Sequence, residues 1–186
     1  ALDEYGWSVG QGLRTGANAF FYVEVLGDDG ETILVKPDSR FAVEPFRVPH
    51  ELVRQVLRRQ AELPLRGLVR SDGLTGGVLM LQDVARPQDV AASASNLHRA
   101  MSPELASYVS SAETTNLGSE TSPRFVPEFS AVRTNARGFE PSKPKRAARF
   151  WYQLPPLAQR HTPDLLIPRV NNLCPRVVVN PGREVI

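Results

Sequence analysis

Six cations and one amide side chain crowd the 17 residues from Arg133 to Arg149: Arg133, Asn135, Arg137, Lys143, Lys145, Arg146 and Arg149, with Glu140 as the one opposing charge. Lysine and arginine neutralise phosphates, and arginine and asparagine also pair in bidentate fashion with base edges. Pro141 and Pro144 stiffen the segment and limit the entropy lost when it docks. A second basic turn follows, with Arg160, His161, Arg169, Asn171 and Asn172. The chemistry on offer is contact with a polyanion and readout of bases, and both need a rigid frame. A solvated basic loop satisfies the same charge pattern.

Other chemistries lack their residues. His50, His98 and His161 show no ligand spacing, and no His-Glu-x-x-His pattern occurs, so no metal site is assigned. His161 with Asp164 is a conceivable dyad, but no Gly-x-Ser-x-Gly nucleophile accompanies it. A structural or DNA-facing His161 is the simpler reading. The acids of the basic half, Glu128, Glu140, Asp164 and Glu184, are far apart in sequence, and no catalytic residue is assigned.

The charge is unevenly distributed. Residues 1–123 carry 11 Lys+Arg against 16 Asp+Glu, a net of −5, whereas residues 124–186 carry 11 against 4, a net of +7. The asymmetry points to an acidic partner for the C-terminal part. Cys174 is the single cysteine, which excludes an internal disulfide and a cysteine-rich zinc site and suits a reducing, cytoplasmic compartment. No apolar run reaches the roughly 20 residues of a membrane span, so no membrane partner is expected. The start, Ala1-Leu-Asp-Glu, has no signal-peptide character and no initiator Met, as expected of a fragment of a longer chain.

The frame is read from periodicity. Gly10-Gln-Gly-Leu-Arg-Thr-Gly16 is a turn whose backbone can approach something closely. It is neither a dinucleotide fingerprint nor a P-loop, but it can hold Arg14, Thr15 and Asn18 near a nucleic-acid backbone. Ala19–Leu26 reads as an aromatic strand, Gly27–Gly30 as a turn and Glu31–Lys36 as the returning strand. Phe41–Phe46 suggests a short edge strand. Val48–Arg59 reads as a helix with Pro49 at its first position, Leu52, Val53, Val56 and Leu57 on one face, and Arg54, Arg58 and Arg59 solvated. Gly76–Gln82 reads as a strand, Asp89–Met101 as a weak helix, and Ser102–Ala112 as a helix capped by Ser102 with Leu105, Tyr108 and Val109 on its apolar stripe. Thr114–Pro127 lacks periodicity and is expected to be a mobile loop. Ala148–Leu154, Asp164–Val170 and Arg176–Asn180 read as strands between prolines. On the first of these, Trp151 and Tyr152 alternate in face, so that Tyr152 can stack on a base or sugar; both can equally be core aromatics. The pattern predicts one α+β domain spanning residues 1–186, a mixed twisted sheet with a few short helices and long basic loops.

Three blocks resemble one family. Gly10-Gln-Gly-Leu-Arg-Thr-Gly-Ala-Asn-Ala-Phe-Phe-Tyr22 is similar to the Gly-rich opening of the target recognition domain in TaqI-like adenine-specific DNA methyltransferases. Val48-Pro-His-Glu-Leu-Val-Arg-Gln-Val-Leu57 resembles that domain's Pro-Leu-rich helix. Phe150-Trp-Tyr-Gln-Leu-Pro155 followed by Asp164-Leu-Leu-Ile-Pro-Arg169 resembles its two later motifs. The resemblance implies sequence-specific binding of double-stranded DNA, with recognition loops in the major groove. It also implies an upstream catalytic methyltransferase domain, in a modification enzyme or one fused to an endonuclease, that works on a flipped adenine. The family's Asn-Pro-Pro-Tyr motif and its S-adenosylmethionine site do not occur in these 186 residues. The resemblance therefore places that cofactor in the parent enzyme and none in this chain.

Overall fold

Two aromatic and β-branched runs flank Asp28-Asp-Gly-Glu31, and this is where the sheet begins. In the computed structural model, which describes residues 10, 12–64, 67–92, 99–137, 149–167 and 177–186, strands β1 (Tyr22–Asp28) and β2 (Thr32–Lys36) pair antiparallel across that turn. Gly30 takes φ +88°, and Asp29 accepts hydrogen bonds from the Glu31 and Thr32 amides. Those bonds, first of all from Thr32, hold the Asp29 carboxyl below its ordinary pKa. The register slips between Val25 and Gly27, a bulge that leaves Leu26 exposed. Three further strands, β3 (Phe46–Pro49), β4 (Val53–Gln55) and β5 (Gly76–Leu79), complete an open five-stranded sheet in the order β3-β2-β1-β5-β4. With its short helices the protein is a mixed α+β fold.

The chain divides into two compact units. The larger comprises Thr15–Val53 and Gly77–Pro156; the smaller comprises Arg54–Gly76, Leu157–Ile186 and the chain up to Arg14. In the larger unit, helix α1 (Asn18–Phe21) precedes β1, and α2 (Pro87–Ala92) follows the short strand β6 (Val84–Ala85), which pairs in parallel with β7 (Arg99–Ala100). Helix α3 (Pro103–Thr114) starts at Ser102, whose side chain accepts from the Leu105 amide, with proline in the first turn as its sequence predicts. It buries Leu105, Tyr108, Val109 and Ala112. The Tyr108 ring stacks on Phe20 at 4.9 Å and 15°, and its hydroxyl donates to the Phe20 carbonyl at 2.7 Å. In the smaller unit, Leu63, Val69, Val178 and Val185 form the core, with Leu57, Leu74 and Leu166 against it. There β8 (Leu165–Leu166) and β9 (Val178–Val179) pair antiparallel, and Leu68 adds a parallel bridge to Val179.

Several elements differ from their sequence reading. Ala19-Phe-Phe is a helical turn, not strand, because Phe20 and Phe21 are both buried and consecutive strand residues cannot both face one core. The expected helix over Val48–Arg59 is absent. Phe46 and Val48 point inward and Arg47 outward in β3, a 3-10 turn spans His50–Leu52, and β4 follows. Phe41–Phe46 contributes only its last residue to a strand; Ser39–Phe41 is a 3-10 turn capped by Asp38. Residues 148–154 form no strand in their described part: Trp151 and Tyr152 lie in a turn, closed by the bond from the Gln153 amide to the Phe150 carbonyl at 2.9 Å. The stretch after α3 is an irregular loop, but it has internal structure: the Asn116 side-chain oxygen accepts from the Gly118 and Arg124 amides, and Leu117 donates to the Arg124 carbonyl.

Candidate nucleic-acid interface

The start of the basic stretch is a helix, not a loop. Helix α4 (Ser130–Arg137) follows a 3-10 turn over Val126–Glu128 and carries one apolar anchor, Val132, which is fully buried. Arg133 and Thr134 face solvent; Asn135 and Ala136 are half-buried. Arg133 makes no side-chain hydrogen bond or ion pair among the described residues. Arg133 follows the anchor by one residue, about 100° around the helix, and so presents its guanidinium to solvent.

Against this helix lies the second half of the glycine-rich opening. Gly16 has φ +82°, and a Cβ there would sit 2.8 Å from the Val132 nitrogen and 2.9 Å from the Ala131 carbonyl carbon. Only glycine allows that backbone conformation and that approach together. Asn135 donates from Nδ2 to the Thr15 carbonyl at 3.1 Å. At the far end of α4, the Arg149 amide donates to the Ala136 carbonyl at 2.8 Å and its guanidinium donates to the Asn135 carbonyl at 2.9 Å. Ala136 and Arg149, which flank the four cations and one carboxylate of residues 137–148 in sequence, are thus bonded to each other.

The expected contact residues fall into three groups. Arg14, Asn18, Arg133 and Arg160 are exposed, and Asn135 and Arg149 are half-buried at the contacts just described. Thr15, Tyr152 and His161 are withdrawn from solvent, at 1 %, 0 % and 8 % exposure. Thr15 donates to the Asn18 side-chain oxygen at 2.8 Å. Lys143, Lys145, Arg146, Arg169, Asn171 and Asn172, and the side chain of Arg137, lie outside the described residues.

Tyr152 cannot stack on a base from its buried position. Its hydroxyl donates to Asp89 at 2.8 Å and accepts from the Arg86 amide at 3.3 Å. Burial, reinforced by the hydrogen bond to Asp89, raises the phenol above its ordinary pKa. Trp151, which is half-buried, donates from Nε1 to Glu113 at 2.8 Å. Both aromatics belong to a polar network that the sequence reading missed. Arg86 sits at its centre, bonded to Asp89 at 2.7 Å and Glu113 at 2.8 Å, with its guanidinium carbon 5.6 Å from the Tyr152 ring centroid. Burial disfavours its charge, but the two carboxylates outweigh that and raise its pKa. The spacing Arg86-Pro-Gln-Asp89 at the end of a buried run was the available signal, since a charge beside a core strand needs a partner. Gln153 completes the frame, donating to the Gln82 and Val84 carbonyls and accepting from the Phe150 amide.

His161 is likewise a frame residue. Its Nδ1 accepts from the Ala158 amide at 3.0 Å, and its Nε2 lies 3.2 Å from Arg160 Nε. Burial, then the Arg160 charge, lowers its pKa and keeps the imidazole neutral. Gly10 packs where a Cβ would stand 2.8 Å from the Arg160 Cβ. Among the described residues no group of His, Cys, Asp and Glu could hold a metal ion, and no helix is long and apolar enough to cross a membrane. Comparison with protein-family models, with curated proteins and with solved structures finds no match to this chain.

Proposed function

We propose that this chain recognises double-stranded DNA in a sequence-specific manner, as the target-recognition part of a cytoplasmic adenine-specific DNA methyltransferase of a restriction-modification system. The observation that carries the reading is the bonding between the residues that flank the cationic segment. Arg149 bonds to the end of α4, so the two residues that flank the four cations of residues 137–148 in sequence are held together near the exposed Arg133. A run of cations whose flanking residues are fixed suits phosphate gripping and groove entry, because fewer degrees of freedom are lost on docking. In this reading methyl transfer and S-adenosylmethionine belong to a separate catalytic domain of the parent enzyme.

The test is a fluorescence-anisotropy titration of the chain with duplexes of varied sequence over a range of salt. The reading predicts affinity that falls steeply with salt and differs between duplexes. Shallow salt dependence with no preference among duplexes would move the protein to a second class, a module that docks acidic protein partners through the basic segment. One further observation favours a protein-docking role. In the smaller unit Leu68, Ile167, Val177 and Val179 lie exposed on one face of the small sheet, by the pairing of Val179 with Leu68 and Leu165.

A further inference from the structure

We propose that His161 and Arg160, in the smaller unit, form a two-donor site for a phosphate oxygen of a nucleic-acid strand. The proposal rests on the DNA-recognition reading above. It starts from the imidazole, which meets an N–H group at each nitrogen: Nδ1 lies 3.0 Å from the Ala158 amide, and Nε2 lies 3.2 Å from Arg160 Nε. A neutral imidazole has one N–H and one acceptor, so it can accept from only one of the two. The Ala158 amide is the one accepted. It is fixed backbone at the start of the 3-10 turn Gln159–His161 and would otherwise lack a partner, whereas Arg160 is an exposed side chain. Nε2 therefore carries the proton, and a ring N–H stands beside a guanidinium N–H.

Two donors side by side need a shared acceptor. Among the described residues neither finds one: the imidazole has no further hydrogen bond, and Arg160 has no ion pair. Asp164, the nearest acid in sequence, gives both oxygens to Arg183, at 2.7 and 2.8 Å. His161 is only 8 % exposed, and a buried N–H is costly to leave unmatched. An oxygen about 2.8 Å from each nitrogen satisfies both, while the next N–H of the guanidinium fork reaches a second oxygen of the same group. Phosphate supplies that pair of oxygens and the negative charge opposite Arg160; a water molecule supplies one oxygen and no charge. Both donors are held in place. The His161 amide donates to the Ala158 carbonyl at 2.8 Å, and the Arg160 stem lies against Gly10, where a Cβ would stand 2.8 Å from the Arg160 Cβ. The bond that makes His161 part of the frame thus also sets the tautomer that arms its other nitrogen.

The experiment records histidine side-chain nitrogen–proton spectra of the intact 186-residue chain, at fixed pH and ionic strength, as inorganic phosphate or a mixed-sequence duplex is added. His161 is expected as the Nε2–H tautomer, with an Nε2 signal that shifts with the duplex and, at higher concentration, with phosphate. His161→Asn keeps an acceptor for the Ala158 amide and removes the donor. It is expected to lose about ten-fold in duplex affinity with the salt slope unchanged, because the lost group is neutral. Arg160→Gln is expected to flatten the slope by about 0.9. Exchange of the Val69 amide, which donates to the Val179 carbonyl, reports folding of the smaller unit, so affinities are expressed per folded molecule. An Nδ1–H tautomer, or duplex binding that leaves the His161 signal at its free position, overturns the proposal and leaves the DNA reading standing. A shift with phosphate but no binding of duplex overturns the DNA reading and the assignment to a strand, leaving a free-phosphate site. Silence in both titrations overturns both.

Discussion

Thr15 and Asn135 stand 120 positions apart in sequence and meet through a 3.1 Å hydrogen bond from the asparagine amide to the threonine carbonyl. That bond ties the glycine-rich opening to the helix that begins the basic stretch. The threonine side chain turns inward, so the opening serves this part of the fold as a bracket for α4.

Gly16 tests the bracket. Its φ of +82° and the 2.8 Å approach to the Val132 nitrogen leave no room for a methyl group on rigid backbone. Gly16→Ala is expected to destabilise the protein by about 2–3 kcal/mol, from left-handed strain plus displacement of α4. Urea denaturation followed by circular dichroism measures this; a midpoint within error of wild type would show that α4 does not pack on the opening.

Tyr152→Phe separates frame from contact surface. The variant keeps the ring but removes the acceptor for the Arg86 amide and the donor to Asp89. An unsatisfied buried group costs about 1–3 kcal/mol, so stability should fall by that order while DNA affinity of the folded protein is unchanged. Lost affinity at unchanged stability would return Tyr152 to the contact surface.

His161 gives a pH signature. Burial and the neighbouring Arg160 charge lower its pKa from the ordinary 6.5. As pH falls below about 6.5 the unfolded chain takes up a proton that the folded chain resists, so stability is full above that value and declines on acidification. Asp29, Glu51 and Asp164 have carboxyl pKa values lowered below 3.8–4.5 and titrate at lower pH. His161→Asn should therefore flatten the stability profile between about pH 7 and 5. A profile identical to wild type would mean that the imidazole is not held neutral in the fold.

Local pattern made part of this fold legible. The Asp28–Glu31 turn with its flanking strands, and α3 with its serine cap and N-terminal proline, carry their signals within a few residues. What the sequence concealed depends on partners distant in the chain. Leu52, Val53 and Val56 fit a helical stripe, yet β-branched Val48 and Val53 lie in sheet strands. Phe20 and Phe21 look like strand residues until Tyr108 supplies a ring for one of them to stack on. At the candidate interface, clustering pointed to Arg133, Asn135 and Arg149 alike, but the bonds of the last two to Thr15 and to the end of α4 join residues 14 to 120 positions apart. Arg86 needed Glu113, 27 positions away, before its burial made sense.

The most direct test of DNA recognition through the basic segment is the salt dependence of duplex binding by the Lys143→Ala, Lys145→Ala, Arg146→Ala triple variant. Three lost phosphate neutralisations should weaken binding to all sequences and flatten the log–log salt slope by about 2–3 units. A slope equal to that of the wild-type chain would contradict the account.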